Sequence, residues 1–351
     1  MLAIFVLPFD RRKPMNTTSI PVVSVVIPMY NVEKYIEQSI SSVLDQSYHH
    51  FELILVDDGC SDNTLNIVNK FSDPRISIVR QANRGLSGAR NTGIEAARGI
   101  YIALLDADDY WAADKLAKHI QHLSANPKVG ISYCPSLFID EEGALLGVGQ
   151  FPKLNNITKQ HIFCRNPVGN GSSPVIRRCV LSEIGYFGVE KDKYRKMYFD
   201  ENLRQSEDIE LWTRIALNTN WQFEGIITPL TYYRVNDSGL SADVNKQFAS
   251  WQHAVMLNEA SHPAFFKQFY SLAKAYQLRY LARRAIQSKS KINAFKLIHQ
   301  AIYCNYRIML QEPNRTVMTL CCAWLKFLPN KLYSRIERYA MLNFGNSSIR
   351  S

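Results

Sequence analysis

Two carboxylates with one residue between them, Asp106 and Asp108 of the run Asp106-Ala107-Asp108-Asp109, can grip a divalent cation that bridges two phosphates. Aspartates also favour helix N-caps, and a helical pattern starts soon after, at about Ala112. In the run Asp57-Asp58-Gly59-Cys60-Ser61-Asp62 a carboxylate can accept from the N3–H of a pyrimidine; turn and capping chemistry explains the same residues. Asn83-Arg-Gly-Leu-Ser-Gly-Ala-Arg-Asn91 offers backbone N–H groups at Gly85 and Gly88 and guanidinium charge at Arg84 and Arg90, a set suited to a diphosphate. Arg90 could equally pair with a structural carboxylate. Ser206-Glu-Asp-Ile-Glu-Leu-Trp-Thr-Arg214 places paired acids at a helix start, where a general base is partly exposed. A capping box with Ser206 as N-cap would account for it without catalysis.

Four apolar runs must carry these groups. Val22-Val-Ser-Val-Val-Ile27, Phe51-Glu-Leu-Ile-Leu-Val56, Arg75-Ile-Ser-Ile-Val79 and Tyr101-Ile-Ala-Leu-Leu105 read as strands, with another expected from Val129 to Ile139. Helical spacing lies between them: Val32 to Leu44, Asp62 to Phe71, and Leu86 to Ala97. This alternation predicts an α/β fold with a mostly parallel, twisted sheet flanked by helices. Ligands of such sheets bind outside the carboxyl ends of the strands. Those ends carry Pro28-Met-Tyr-Asn31, Asp57-Asp58-Gly59 and Asp106 to Asp109.

Residues 151–235 are irregular and rich in Gly, Asn and aromatics, apart from a helix at Ser206 to Leu217. From about Asp243 the pattern is helical. Leu278, Leu281, Ala282, Ala285 and Ile286 share one face, and Ala294, Leu297, Ile298, Ala301 and Ile302 share another, with a turn over Ser288 to Asn293. Thr316 to Leu328 is apolar nearly all round.

The 351 residues are 46% hydrophobic and 21% charged, which excludes a disordered or fibrous chain. The net charge of +10 is uneven: from Asn245 onward there are 16 Lys+Arg against 3 Asp+Glu, so the rest of the chain is slightly acidic. The seven cysteines are scattered without a C-x-x-C pair, which argues against a zinc site or a disulfide framework and for a reducing cytoplasm. The opening Met1 to Phe9 is apolar but short and lacks a basic flank; Met15 is a candidate start. No apolar run reaches the roughly 18 residues that span a bilayer.

In order and spacing these motifs resemble family-2 glycosyltransferases with the GT-A fold, over about Val22 to Ser241. Val23-Ser-Val-Val-Ile-Pro-Met-Tyr-Asn31 resembles the opening strand and nucleotide-contacting turn, which implies donor contacts for Pro28, Tyr30 and Asn31. In Leu55-Val-Asp-Asp-Gly59, Asp58 stands where the family meets the base. Asn83 to Asn91, with Arg84 and Arg90, resembles the loop and helix that close over the nucleotide. Leu105-Asp-Ala-Asp-Asp109 resembles the D-x-D element, with Asp108 as metal ligand and Asp106 facing ribose or donor sugar. Phe199 to Asp208, followed by Leu211-Trp-Thr-Arg214, resembles the motif whose last acid, Asp208, is the base.

The resemblance implies inverting transfer of one sugar from a nucleoside-diphosphate sugar, with UDP the first expectation. A divalent cation, Mg or Mn, and a glycan or lipid-linked acceptor of envelope polysaccharide synthesis are implied with it. The Gln-x-x-Arg-Trp motif and membrane spans of processive members are absent from the sequence. Two positions depart from the family pattern: Asn236 replaces a frequent His after Tyr232-Tyr-Arg234, and Cys60 replaces a common Ser. A nucleotidyltransferase would need a Gly-rich triphosphate loop with a lysine after the first strand, and Pro28 to Asn31 is unlike it. A non-catalytic sugar-nucleotide-binding relative would not need the retained acids. The expected division is 1–20 poorly structured, 21–242 the GT-A domain (nucleotide part 21–140, acceptor part 141–242) and 243–351 a basic helical region. That last region is expected to touch an anionic membrane peripherally, at the cytoplasmic face, or simply to form a solvated helical cap. Nucleic acid is not an expected partner, since no reader motif accompanies the charge.

Overall fold

The computed structural model describes residues 21–190, 193–235, 244–287, 290–329 and 335. The expectations for the first 20 residues, Met15, Asn236 and the 242/243 boundary fall outside them.

The first half alternates as the sequence predicts: β1 (Val23–Met29), α1 (Ile36–Leu44), β2 (Phe51–Asp57), α2 (Thr64–Val68), β3 (Ile76–Arg80), α3 (Gly85–Ala96) and β4 (Tyr101–Leu104). β1, β2 and β4 are buried along their whole length, which is why their sequences are apolar on both faces. Each such Val, Ile or Leu withdrawn from water contributes about 1.5–3 kcal/mol. α3 lies so close to β1 that a Cβ on Gly93 would stand 2.2 Å from Val26 Cγ1. The α2 helix is shorter than the sequence predicts because Asp62 belongs to the preceding loop, accepting from the backbone N–H groups of Glu33 and Thr64.

After β5 (Tyr110–Trp111) and α4 (Lys115–Ala125), the stretch expected as one strand is two: β6 (Val129–Tyr133) and β7 (Ser136–Ile139). Pro135 falls between them and has no N–H to donate, so the chain leaves one sheet there and enters another. The irregular region holds β8 (Leu145–Gln150), α5 (Lys159–Arg165), β9 (Val175–Arg177), α6 (Arg178–Ile184), β10 (Tyr186–Glu190), β11 (Lys193–Met197), α7 (Glu207–Asn218), β12 (Gln222–Gly225) and β13 (Thr231–Arg234).

The main sheet has seven strands in the order β12-β6-β9-β4-β1-β2-β3. All run the same way except β9, which is antiparallel to both β4 and β6. β1 lies between β2 and β4, and Met29 pairs with Asp57 while Val26 pairs with Leu104. Hence the three polar strand exits share one rim. A second sheet, β5-β13-β7-β8, stands beside it.

The helical region comprises α8 (Val244–Glu259), α9 (Pro263–Gln287), α10 (Lys291–Cys304), α11 (Arg307–Gln311) and α12 (Pro313–Leu325). α9 and α10 form the predicted hairpin, with Leu278, Leu281, Ala282, Ala285, Ala294, Ile298 and Ala301 buried. This region is not a free appendage. Phe163 and Cys164 of α5 and Leu217 of α7 share its core, and Phe163 packs edge-on against Phe266 at 4.9 Å. None of the described helices is long and apolar enough to cross a membrane.

Candidate active site

The rim is laced together by its own loops. Asn31, at a left-handed φ of 51°, accepts from the Ser61 N–H at 2.8 Å and so joins the β1 and β2 exits. Pro28 is buried in β1, whereas the Tyr30 ring stands 53% exposed at the rim. Asp58 is buried and accepts from the N–H groups of Arg84 (2.8 Å) and Gly85 (2.9 Å) and from Gln81 Nε2 (2.6 Å). Its negative charge thus sits at the positive end of α3. A carboxylate has about four acceptor positions, so these three bonds leave one for a ligand N–H.

Five residues beyond Gly85, about 7.5 Å along α3, the same helix carries Arg90. Its guanidinium is buried and bridges two carboxylates: Nη2 to Asp106 Oδ1 at 2.6 Å and Nη1 to Glu207 Oε1 at 2.7 Å. Of the two readings of Arg90, the structure supplies the internal pair. Arg84 is engaged likewise: its guanidinium forks onto Glu201 (2.5 and 3.1 Å) and reaches Thr92 at 3.1 Å. One helix therefore joins Asp58, the acidic run and the start of α7.

At α7 the capping box does not form. Ser206 has a left-handed φ of 61° and makes no side-chain cap bond. Such a conformation costs on the order of 1 kcal/mol or more. Asp208 instead accepts from Asn166 Nδ2 at 3.1 Å, and Asn166 closes α5 at a left-handed φ of 39°. Burial pushes the Asp208 carboxyl up, against the pull of Arg90 and the Asn166 hydrogen bond. Burial also pushes Glu207 up, again opposed by Arg90.

Within the acidic run, burial and then the neighbouring charge of Asp106 push Asp108 up to about 6. Asp109 does not cap the next helix, whose N-cap is Asp114. It is buried, accepting from Ser172 Oγ at 2.5 Å and from the Arg234 N–H at 2.8 Å, which pins the main sheet to the second one. Arg234 also donates to the Asp108 carbonyl at 2.8 Å, and Ser39 of α1 donates to the carbonyls of Ala107 and Asp109.

Three carboxylates crowd one loop with Arg90 and Arg234 as braces. The chemistry of that donor set fits a divalent cation held by one or two carboxylates and completed by phosphate oxygens and water. Among the described residues no group of three His, Cys, Asp or Glu gathers to hold a metal unaided. Asn166, Ser172, Arg234 and Gly171 are the residues that sequence reasoning missed here. A Cβ at Gly171 would fall 2.2 Å from Arg90 Nη2 and 2.8 Å from Asp106 Oδ2. Gly171→Ala therefore displaces the Arg90–Asp106 pair, and a shift of about 1 Å can cost roughly 10²-fold in rate. We expect kcat/KM to fall by that order with the circular-dichroism spectrum unchanged; wild-type turnover in this variant would refute the tight approach.

Residues 24–185 match the family model described as Glycosyl transferase family 2. Over 226 residues the chain is 32% identical to the UDP-Glc:alpha-D-GlcNAc-diphosphoundecaprenol beta-1,3-glucosyltransferase WfgD of Escherichia coli, spanning 64% of this chain and 81% of that protein. The chain belongs to glycosyltransferase family 2. Another E. coli member with the same printed activity, WfaP, is 29% identical over 280 residues, 78% of this glycosyltransferase and 99% of its relative. Among solved structures, the mannosyltransferase PcManGT of Pyrobaculum calidifontis, in complex with GDP-Man and Mn2+, superposes with a TM-score of 0.54 at 21% identity, covering 88% of this chain and 87% of that one. S. aureus TarS 1–349 in complex with UDP-GlcNAc gives a TM-score of 0.51 at 17% identity over 88% and 82%. These likenesses establish that this glycosyltransferase has the GT-A fold.

Proposed function

We propose that this glycosyltransferase moves one sugar, with inversion, from a UDP-sugar to a hydroxyl of a lipid-diphosphate-linked glycan during assembly of a surface polysaccharide. The observation that carries the reading is the Arg90 bridge from Asp106 to Glu207, which sets the acidic run beside the α7 start that bears Asp208. The printed activities of WfgD and WfaP support the UDP donor and the lipid-linked acceptor.

In this reading Asp208, oriented by Asn166, takes the proton of the acceptor hydroxyl as it attacks the anomeric carbon. Asp108 would hold a divalent cation, Mg or Mn, which would supply Lewis-acid neutralisation of the departing diphosphate. Asp106 faces ribose or donor sugar from its Arg90 pair. Arg84 and Arg90 lend positive potential to the diphosphate side while their guanidiniums hold Glu201, Asp106 and Glu207 in place. Asp58 offers its remaining acceptor position to a pyrimidine N3–H, and Pro28, Tyr30 and Asn31 line the nucleotide turn. Residues 21–140 are assigned the nucleotide part and 141–242 the acceptor part, followed by the helices between Val244 and Leu325.

A thermal-shift panel of nucleoside diphosphates with Mn2+ tests the donor. We expect UDP to stabilise the protein and purine nucleotides to leave it unmoved. Equal shifts for UDP and GDP would remove the role given to Asp58.

We assign this enzyme to the cytoplasmic face of the membrane, touching it peripherally. Support comes from Met318, Trp324 and Phe327 of α12 and its exit, all at least half exposed near Lys326. Flotation on anionic liposomes should be lost when residues 313–351 are deleted; equal flotation of both forms would end the membrane reading.

A further inference from the structure

Three arginines converge on one carboxylate where α5, α9 and α12 meet, and a fourth stands close by. Glu312, just ahead of α12, is ion-paired by Arg165 of α5 and Arg279 of α9, and Arg315 of α12 stands 3.9 Å from it. Arg279 also donates to Thr316 Oγ1 at 2.7 Å. Arg283 follows Arg279 by one turn on the same face of α9. Its residue surface is exposed, yet burial and then the charges of Arg279 and Arg165 push its guanidinium below its ordinary value, and it makes no hydrogen bond or ion pair with any described residue.

The charges do not balance. Although burial opposes it, the bonds and charges of Arg165 and Arg279 hold Glu312 down at about 2, so a single full negative charge faces four guanidiniums. Burial, followed by the charges of Arg165 and Arg283, pushes Arg315 below its ordinary value. The first turn of α12, with Pro313 at its start, adds the positive end of a helix. An excess of partly buried, mutually repelling cations is stabilised by an anion with several oxygens, and planar guanidiniums suit phosphate.

The cluster also has an address. Arg165 is the last residue of α5, and the next one, Asn166, holds Asp208. Tyr280, between Arg279 and Arg283, stands close enough to β13 to act on Tyr233, which burial and the charges of Asp109 and Asp108 drive up as well. The arginines thus border the reaction centre on the side of the proposed base.

We propose that Arg283 and Arg315, backed by Arg165 and Arg279, bind the diphosphate of the acceptor. This rests on the reading that the acceptor is a lipid-diphosphate-linked sugar. In such a molecule one sugar ring separates the attacking hydroxyl from the first phosphate; in this chain one step of α5 separates the base's partner from the arginine cluster. The inner pair, Arg165 and Arg279, is engaged by Glu312, which fixes the cluster in place. Of the outer pair, Arg315 has only the 3.9 Å contact with Glu312 and Arg283 has no ion pair among the described residues.

Calorimetry on the full chain tests this, with the donor site filled by UDP and Mn2+. The titrants are a C15 prenyl diphosphate, the matching prenyl alcohol, and phosphatidylglycerol vesicles. We expect the wild type to bind the diphosphate and not the alcohol. Arg283→Gln/Arg315→Gln should bind the diphosphate at least about tenfold more weakly, with UDP affinity and thermal midpoint unchanged. The proposal is overturned if the wild type ignores the diphosphate while binding UDP, or if the variant binds it equally well. It is also overturned if the vesicles bind as tightly and lose as much in the variant, since the cluster then reads membrane headgroups. Loss of UDP binding by the wild type would instead strike at the donor-site reading; diphosphate binding is scored separately, in the same protein without UDP.

Discussion

Asp208→Asn should transfer sugar roughly 10²–10⁴-fold more slowly than the wild type, the range a positioned general base contributes, while binding the nucleotide-sugar as well as before. The substitution keeps the shape of the side chain and can keep a hydrogen bond to Asn166. What it removes is the capacity to accept a proton. The proposed donor contacts, Asp58, Asp106 and Asp108, do not include Asp208, so calorimetry with UDP should read the same for both proteins. The pH profile gives a second readout. Burial raises the Asp208 carboxyl above its ordinary value despite Arg90. An acid that must be ionised to work loses activity as pH falls through its raised pKa. We expect the acidic limb of kcat in the wild type to lie above the ordinary aspartate range and to vanish in the variant. Loss of donor binding in a folded Asp208→Asn protein would count against the assignment.

Asp108→Ala should abolish the dependence of donor affinity on divalent cation. In the wild type, burial and then the charge of Asp106 push the Asp108 carboxyl up to about 6, against the pull of Arg234. In the proposed reading Asp108 would hold a cation, which would supply positive charge to this loop and to the diphosphate. Without the carboxylate, UDP affinity with Mn2+ should fall about tenfold or more, which is 1.4 kcal/mol per decade, to the value the wild type shows in chelator. The fold should survive, because removing Asp108 lowers like-charge repulsion with Asp106 and Asp109 and leaves the bonds of Asp109 to Ser172 and Arg234 intact. Equal metal enhancement in variant and wild type would move the cation elsewhere.

β1, β2 and β4 were readable because they are largely apolar, and burial on both faces requires that; β3, which is mostly exposed, was readable from its alternating pattern and its place in the order. The rim was readable because a parallel sheet puts all its strand exits on one side. What local patterns could not show was pairing across the chain. Arg90 to Glu207 spans 117 positions, Asp109 to Ser172 spans 63, and Arg234 to Asp109 spans 125. No periodicity encodes such contacts, so Asp109 looked like a helix start and Ser206 like a cap. Asn166 and Gly171 sit in an irregular stretch where neither spacing nor hydrophobicity marks them. In the basic tail, net charge could not show which cations pair internally: Arg279 is 4% exposed and ion-paired to Glu312.

The most direct test of the central claim is the stereochemistry of the product. The UDP-sugar that gives the largest thermal shift, carrying its sugar in the α configuration, is incubated with Mn2+ and a GlcNAc-diphosphate lipid, and the new linkage is read by NMR. Attack opposite the departing UDP, with Asp208 as base, predicts a β-linked product and one UDP released per sugar transferred. An α-linked product, or UDP released with no sugar on the lipid, would contradict it.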